Sequence, residues 1–502
     1  MNASANVLAA LSELRRHAGN ARTRGLSDET LLRLAPNHPD LMAAVNAAQE
    51  EFEAVREAFP ELLALDEDAQ RAAIQEGFVN FYAGDAVNPY VALTARGPWV
   101  VTLKGAVLHD SGGYGMLGFG HTPAQVLAAM AKPQAMANIM TPSLPQLRLT
   151  RALRAEIGQR RGACPYARFL CLNSGSESVT LACRIVDIHA KLQTEPGARH
   201  AGKTIKHLAV TGAFHGRTEG PARYSDSTRK AYLKHLASYR NDDTLLTVAP
   251  YDIAQLRDIF AQADKNGWFI EAMFLEPVMG EGDPGRGVTP EFYAAARELT
   301  TAHGSLFLVD SIQAGLRAHG VLSVVDYPGF ENLPAPDMET YSKALNAGQY
   351  PLSVLAVSET VAALYRTGVY GNTMTTNPRA MDVACAVLGS LNDATRRNIV
   401  ERGREFVEKL GALQAELPSL ITKVQGTGLL FSCELSPTFK CFGENSIEEY
   451  MREQGIGVIH GGENSLRFTP HFGITSEEVD LVIEHVRHAL LHGPRKNQAE
   501  AA

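Results

Sequence analysis

The chain has 502 residues, 45% of them hydrophobic and 20% charged, and carries a net charge of −8. That length exceeds what a single hydrophobic core supports, so two or three structural units are expected, and the composition excludes a disordered or collagen-like chain. The acidic balance offers no basic footprint for nucleic acid or an anionic membrane, so the expected partners are small molecules.

Residues 1–90 predict a helical N-terminal extension, clearest where Met42, Val45, Phe52, Val55 and Phe59 recur at helical spacing. Glu13, Arg15 and Arg16 interrupt the first apolar stretch, unlike a signal peptide, and no segment reaches the roughly 20 apolar residues of a bilayer span. Residues 91–150 change to short β-branched runs and an irregular glycine-rich loop around Tyr114, the N-terminal part of a small domain.

From 151 to 390, apolar strands alternate with helical stretches, which predicts an α/β domain with a mainly parallel sheet covered by helices. The strand candidates are Phe169–Leu172, Leu208–Thr211, Met273–Leu275, Leu306–Asp310 and Leu352–Val357. Each runs into a polar or glycine cluster, where open α/β sheets bind ligands. Residues 391–494 return to mixed helix and strand, completing a smaller α+β domain built from both chain ends. They close on a helix opened by a capping box, Thr475-Ser476-Glu477-Glu478, and residues 495–502 are a tail.

Three features carry chemistry. The turn Asn173-Ser174-Gly175-Ser176-Glu177 joins a strand to a helix start, whose free N–H groups suit a phosphate, although a plain helix cap reads the same way. Asp310 ends the apolar run Leu306-Phe307-Leu308-Val309, and burying it calls for a partner, either a cationic ring nitrogen or a structural lysine. Lys343 lies in a loop of small residues where loss of water favours the neutral, nucleophilic amine. Six scattered cysteines form no CxxC pair and fit reduced thiols in the cytoplasm. His485, His488 and His492 lack a carboxylate motif, so no metal site is expected.

Taken in order, these segments resemble the class III, fold type I aminotransferases over residues 95 to 490, with ornithine and acetylornithine aminotransferases the nearest likeness. The resemblance is carried by Gly120-His121-Thr122-Pro123, Asn173 to Glu177, Phe214-His215-Gly216-Arg217-Thr218, Glu276-Pro277 with Gly280-Glu281, Leu308 to Gly315, Ser342-Lys343-Ala344-Leu345, Gly371-Asn372-Thr373 and Leu466-Arg467-Phe468. It implies pyridoxal 5′-phosphate as cofactor, a seven-stranded large domain, and amino-group transfer from an amino acid, ω-amine or diamine to 2-oxoglutarate or pyruvate by a ping-pong route.

In that likeness Lys343 holds the cofactor as a Schiff base and then moves the substrate proton, while Asp310 keeps the ring nitrogen protonated. Gly175 and Ser176 cradle the phosphate, Phe214 stacks on the ring, and Gln313 meets the phenolic oxygen. Glu276 and His215 complete the cofactor set, with His215 and Tyr114 also on the substrate side. Arg467 grips a carboxylate, and Glu281 can neutralise it. Thr373 reaches the phosphate of a partner subunit, which implies a homodimer.

Ser311, Ala314, His215 and Met374-Thr375-Thr376 depart from commoner family residues and leave the amino donor open. Aminomutases, racemases and decarboxylases share the lysine and aspartate, and a non-catalytic binding protein could retain the fold.

Overall fold

The computed structural model describes residues 3–16, 19–136 and 139–496, so residues 497–502 of the expected tail lie outside the described residues. The chain forms two compact units. One comprises residues 1–123, 401–425 and 431–502, and the other residues 124–400 with 426–430.

In the first unit the N-terminal residues are helical as expected. The helix Pro39–Ala58 buries Leu41, Ala44, Val45, Ala48 and Phe52, a face turned from the expected one, and Phe59 is 55% exposed. Small alanines fit close against a neighbouring strand, so they define the buried stripe better than the large residues alone. That strand is β1 (Ala92–Arg96), which forms an antiparallel meander with β2 (Trp99–Thr102) and β3 (Val107–Asp110). Ile456–Gly457 adds a parallel edge to β3. A second sheet runs in the order Ile421–Thr427, Leu430–Leu435, Ser465–Phe468, Ile459–Gly461. The closing helix Ser476–His492 has the expected capping box of Thr475 and Glu478. The helical N-terminus is therefore part of the small unit and not a separate extension of 1–90.

The second unit holds seven strands. These are β4 (Arg168–Leu172), β5 (Thr204–Val210), β6 (Leu245–Val248), β7 (Trp268–Leu275), β8 (Leu306–Asp310), β9 (Met338–Tyr341) and β10 (Ser353–Val357). They lie in the order β4-β10-β9-β8-β7-β5-β6. β10 runs antiparallel to both of its neighbours, and the remaining pairs are parallel. Every residue of β8, β9 and β10 is buried, as expected of strands covered on both faces.

The helices Ala124–Met130 and Leu144–Glu156 pack on the helix Pro378–Ser390. That packing moves the boundaries expected at 150/151 and 390/391 out to 123/124 and 400/401.

A buried carboxylate ties the middle of this sheet to its surroundings. Glu339 of β9 accepts from the hydroxyls of Tyr166 (2.7 Å), Ser311 (2.6 Å) and Ser323 and from the Val324 N–H (2.9 Å). Burial raises its pKa, and the four donors oppose the rise. Glu339→Ala strands all four donors and should lower the unfolding free energy by about 3 kcal/mol or more. Denaturant titration of the variant reads the loss, and a change below about 1 kcal/mol would contradict this account of the network.

Candidate active site

The carboxyl ends of β5, β7, β8 and β9 deliver the chemical groups. After β5 come Phe214 and His215, after β7 comes Glu276, β8 ends on Asp310, and Lys343 follows β9 by two residues. Contacts between these segments link them into one site.

Asp310 is 4% exposed, and each of its oxygens has a donor. Oδ1 accepts the Ile312 N–H at 3.1 Å, and Oδ2 faces His215 Nδ1 at 2.9 Å. His215 is itself buried, edge-on to Phe274 with ring centres 5.7 Å apart, and its backbone N–H donates to Ser225 Oγ at 2.9 Å. The sequence reading placed His215 beside the cofactor and on the substrate side. The fold seats it against Asp310, and among the described residues its Nε2 has no hydrogen-bond partner.

Lys343 occupies the left-handed region, φ 47°, at the start of a short 3-10 turn, Lys343–Asn346. Ser342 Oγ and Asn346 Nδ2 both donate to the Leu352 carbonyl, at 2.7 and 2.9 Å, and fasten the turn to the start of β10. Lys343 Nζ donates to Gln313 Oε1 at 3.0 Å. The Gln313 amide needs Gly280 beside it, because a Cβ there would fall 2.3 Å from Oε1.

The helix Gly175–Thr194 begins directly after β4. Its N-cap Ser174 accepts from the Glu177 N–H at 3.2 Å, and Glu177 in return accepts the Asn173 N–H at 2.7 Å. The Gly175 and Ser176 N–H groups open the first turn, where no intrahelical acceptor exists. Gly216, φ 117°, lets the loop after β5 approach, since a Cβ would lie 2.5 Å from Ser176 Oγ. Phe214, half-buried on that loop, has the Arg217 guanidinium 5.7 Å from its ring centre. Asn372 Nδ2 and the Tyr370 hydroxyl both donate to Glu177, which brings the loop carrying the exposed Thr373 to the same helix start.

Among the described residues Glu276 receives the N–H groups of Phe214 and Gly280, each at 3.0 Å, and no side-chain hydrogen bond. Burial pushes its carboxyl up to about 7 against the pull of His215. Asp310 adds to the rise, and the two N–H groups oppose it.

The remaining expected residues are placed as follows. Glu281 lies half-buried in the loop that a bridge between Val278 and Gly287 closes. In the small unit, Arg467 is 2% exposed on the strand Ser465–Phe468, with its guanidinium 5.8 Å from the ring centre of Tyr114. Tyr114 adopts φ 50°, and burial pushes its hydroxyl up to about 12.

A mainly parallel seven-stranded sheet with a lysine, an aspartate and a helix N-terminus gathered at its strand ends defines a fold type I transferase. Residues 81–490 match the family Aminotransferase class-III. The chain belongs to the class-III aminotransferases, enzymes that move amino groups with pyridoxal 5′-phosphate. It is 29% identical over 419 residues to ornithine aminotransferase 2 of Staphylococcus aureus, covering 80% of this chain and 94% of that one. It is 28% identical over 394 residues to putrescine aminotransferase of Pectobacterium atrosepticum, covering 76% and 77%. The crystal structure of Toxoplasma gondii ornithine aminotransferase shares the fold, with a TM-score of 0.72 at 23% identity, over 87% of this chain and 98% of that one.

The residues present fit that cofactor. A helix start offers N–H groups to a phosphate, Asp310 offers a carboxylate to a cationic ring nitrogen, and Gln313 Nε2, on the side chain that meets Lys343 Nζ, is a buried donor without a partner among the described residues. Sequence reasoning missed the supports, namely Ser225 behind His215, Ile312 behind Asp310 and Glu177 at the helix start. Only Glu177 carried a local signal, as the acid three residues after an N-cap serine.

The raised Glu276 carboxyl has a consequence for stability. A folded-state pKa above the ordinary value of 4.5 stabilises the fold below that value, and the gain disappears as pH rises through about 7. In cofactor-free protein, the stability difference between wild type and Glu276→Gln should therefore shift against wild type by about 3 kcal/mol from about pH 4.5 to about pH 8. A difference that stays flat with pH, read by denaturant unfolding, would show that this carboxyl titrates normally.

Proposed function

We propose that the enzyme takes an amino group from an amino acid or a primary ω-amine, such as a diamine, and delivers it to 2-oxoglutarate or pyruvate. It does so in two half-reactions with ping-pong kinetics, as a cytoplasmic homodimer. The observation that supports the site assignment is the 3.0 Å hydrogen bond from Lys343 Nζ to buried Gln313, three residues after the buried Asp310.

When bound, pyridoxal 5′-phosphate supplies an electrophilic carbon and an electron sink. Gly175 and Ser176 would hold its phosphate through the helix start, Phe214 would pack on its ring, and Gln313 Nε2 would donate to its phenolic oxygen. Asp310 would hold a proton on the ring nitrogen, steadied in turn by His215. Lys343 would attach the cofactor and, once released, carry the substrate proton at Nζ.

The two relatives are named for ornithine and putrescine, both of which bear a terminal amine, and this supports an ω-amine donor. Arg467 would receive a carboxylate of the oxo acid, and Glu281 would neutralise it when a carboxylate-free amine binds. Thr373, exposed on its loop, would complete the phosphate site of a partner subunit. The exposed Met140, Leu144, Val369 and Met374 in the same unit supply apolar surface for such a copy. No helix among the described residues is long and apolar enough to cross a membrane.

An amino donor without acceptor should release about one equivalent of oxo product per chain, the signature of a half-reaction. Lys343→Ala should lose at least about a hundredfold in rate and also the cofactor mass that borohydride fixes to the protein. Retention of both by the variant would remove Lys343 from its role. Arg467→Ala should weaken 2-oxo acid use about tenfold to a hundredfold and spare a carboxylate-free amine, and equal losses would rule out the proposed exchange with Glu281.

A further inference from the structure

The small unit contains a second polar cluster built into its core. His109 of β3, His471 and Glu478 come from three separate segments, and their ligand-type atoms all lie within 4.8 Å of one another. His109 Nε2 is 3.2 Å from Glu478 Oε1, and His471 Nε2 is 3.3 Å from the same oxygen. The other oxygen, Oε2, serves the capping box, accepting from the Thr475 N–H at 2.7 Å and the Thr475 hydroxyl at 2.9 Å. Oε1 is thus left facing imidazoles.

A third imidazole approaches it. His38, the residue before the helix Pro39–Ala58, has Nδ1 3.9 Å from Glu478 Oε1 and Nε2 3.4 Å from Glu477 Oε2. Its ring and that of His109 both meet Trp99 edge-on, with centres 5.4 and 5.1 Å from the indole. Of the three imidazoles, His109 is fully buried, His38 nearly so, and His471 is 15% exposed, which leaves a route to solvent.

Hydrogen bonding alone is one way to use this arrangement, but its two imidazole-to-carboxylate separations also match the edges of a metal site. Zinc bonds of about 2.0–2.1 Å to nitrogen and oxygen set tetrahedral ligands about 3.3–3.4 Å apart. The two Nε2-to-Oε1 separations of 3.2 and 3.3 Å are close to that edge, and His38 Nδ1 lies about half an ångström beyond it. His109 Nδ1 is 3.1 Å from Ser111 Oγ, the outer contact that orients a ligating imidazole. Two or three imidazoles with one monodentate carboxylate select zinc-type ions over magnesium or calcium, which prefer oxygen.

We propose that His109, His471 and Glu478 bind one zinc-type divalent transition ion, and that His38, which stands outside this group of mutually close ligand atoms, moves in to complete the site. The ion would fasten the N-terminal helices to β3 and to the last helix, all within the small unit, and would give the N-terminal segment a structural purpose independent of the Lys343 chemistry.

The cofactor-loaded enzyme, stripped with a chelator and titrated with zinc chloride against a chromophoric competitor, tests the site. Wild type should take up one tight equivalent per chain with a rise in thermal midpoint. His38→Asn and His471→Asn should each weaken that binding at least about tenfold, and His488→Asn, which changes a histidine outside the cluster, should leave it unchanged. Circular dichroism confirms that the variants are folded, and anomalous scattering at the zinc edge in wild-type crystals locates the ion without any substitution. Zinc uptake equal in wild type and a folded His38→Asn/His471→Asn variant, or anomalous density elsewhere only, overturns the proposal and leaves a hydrogen-bonded cluster.

Discussion

A carboxylate placed at the mouth of a sheet whose central strands are buried on both faces has to be answered by donors, and the answer to Asp310 organises the site around it. Its two oxygens have different partners, Oδ1 the nearby Ile312 N–H and Oδ2 the ring of His215 from beyond β5. To bring His215 there, the loop after β5 must fold back over the strand ends, and Ser225 holds that loop by accepting the His215 N–H and donating to the Gly216 and Pro221 carbonyls. The same fold-back aims the Phe214 N–H at Glu276 and presses Gly216 against Ser176. The helix start and the Phe214 ring are therefore positioned by the interactions that secure the acid.

Lys343 is set by strain and restraint on the other side. Left-handed backbone costs a non-glycine residue roughly 1–2 kcal/mol, and both Lys343 (φ 47°) and Ala347 (φ 54°) adopt it. The turn persists because one carbonyl, that of Leu352, receives side chains from both its ends. From this turn the Lys343 side chain reaches Gln313 Oε1. Backbone strain held by surrounding bonds recurs at functional sites, and here it accords with the role proposed for Lys343.

How far the sequence was legible follows from where each signal lies. β8 and the helix after Ser174 were readable because a continuous apolar run, a terminal acid and an N-cap serine are adjacent in the chain. Lys343 was readable as an amine among small residues. β9 was not, because its four residues include Glu339, which looks like a breaker until Tyr166, Ser311 and Ser323 are brought to it from distant segments. β6 was missed because most of it is only half-buried and it forms an edge, so neither alternation nor a full apolar run develops. His215 was noticed, but its partner lies 95 residues away, and only the strand order places the two together. The face of the helix Pro39–Ala58 was misjudged for a simpler reason, since large residues were weighted over the alanines that pack closest.

Gln313 shows why an amide, not an acid, suits the centre of this site. Its Oε1 accepts from Lys343 Nζ, and an amide oxygen can do so whether the amine carries two protons or three. A carboxylate in its place would favour the ammonium form and hold back the lone pair that a nucleophilic lysine needs. It would also set a third acid close to Asp310 and Glu276, where burial already pushes one carboxyl up to about 7. The neutral amide therefore orients the amine without dictating its charge, and among the described residues its buried Nε2 has no hydrogen-bond partner. Gly280 allows this, because any side chain there would displace the amide oxygen.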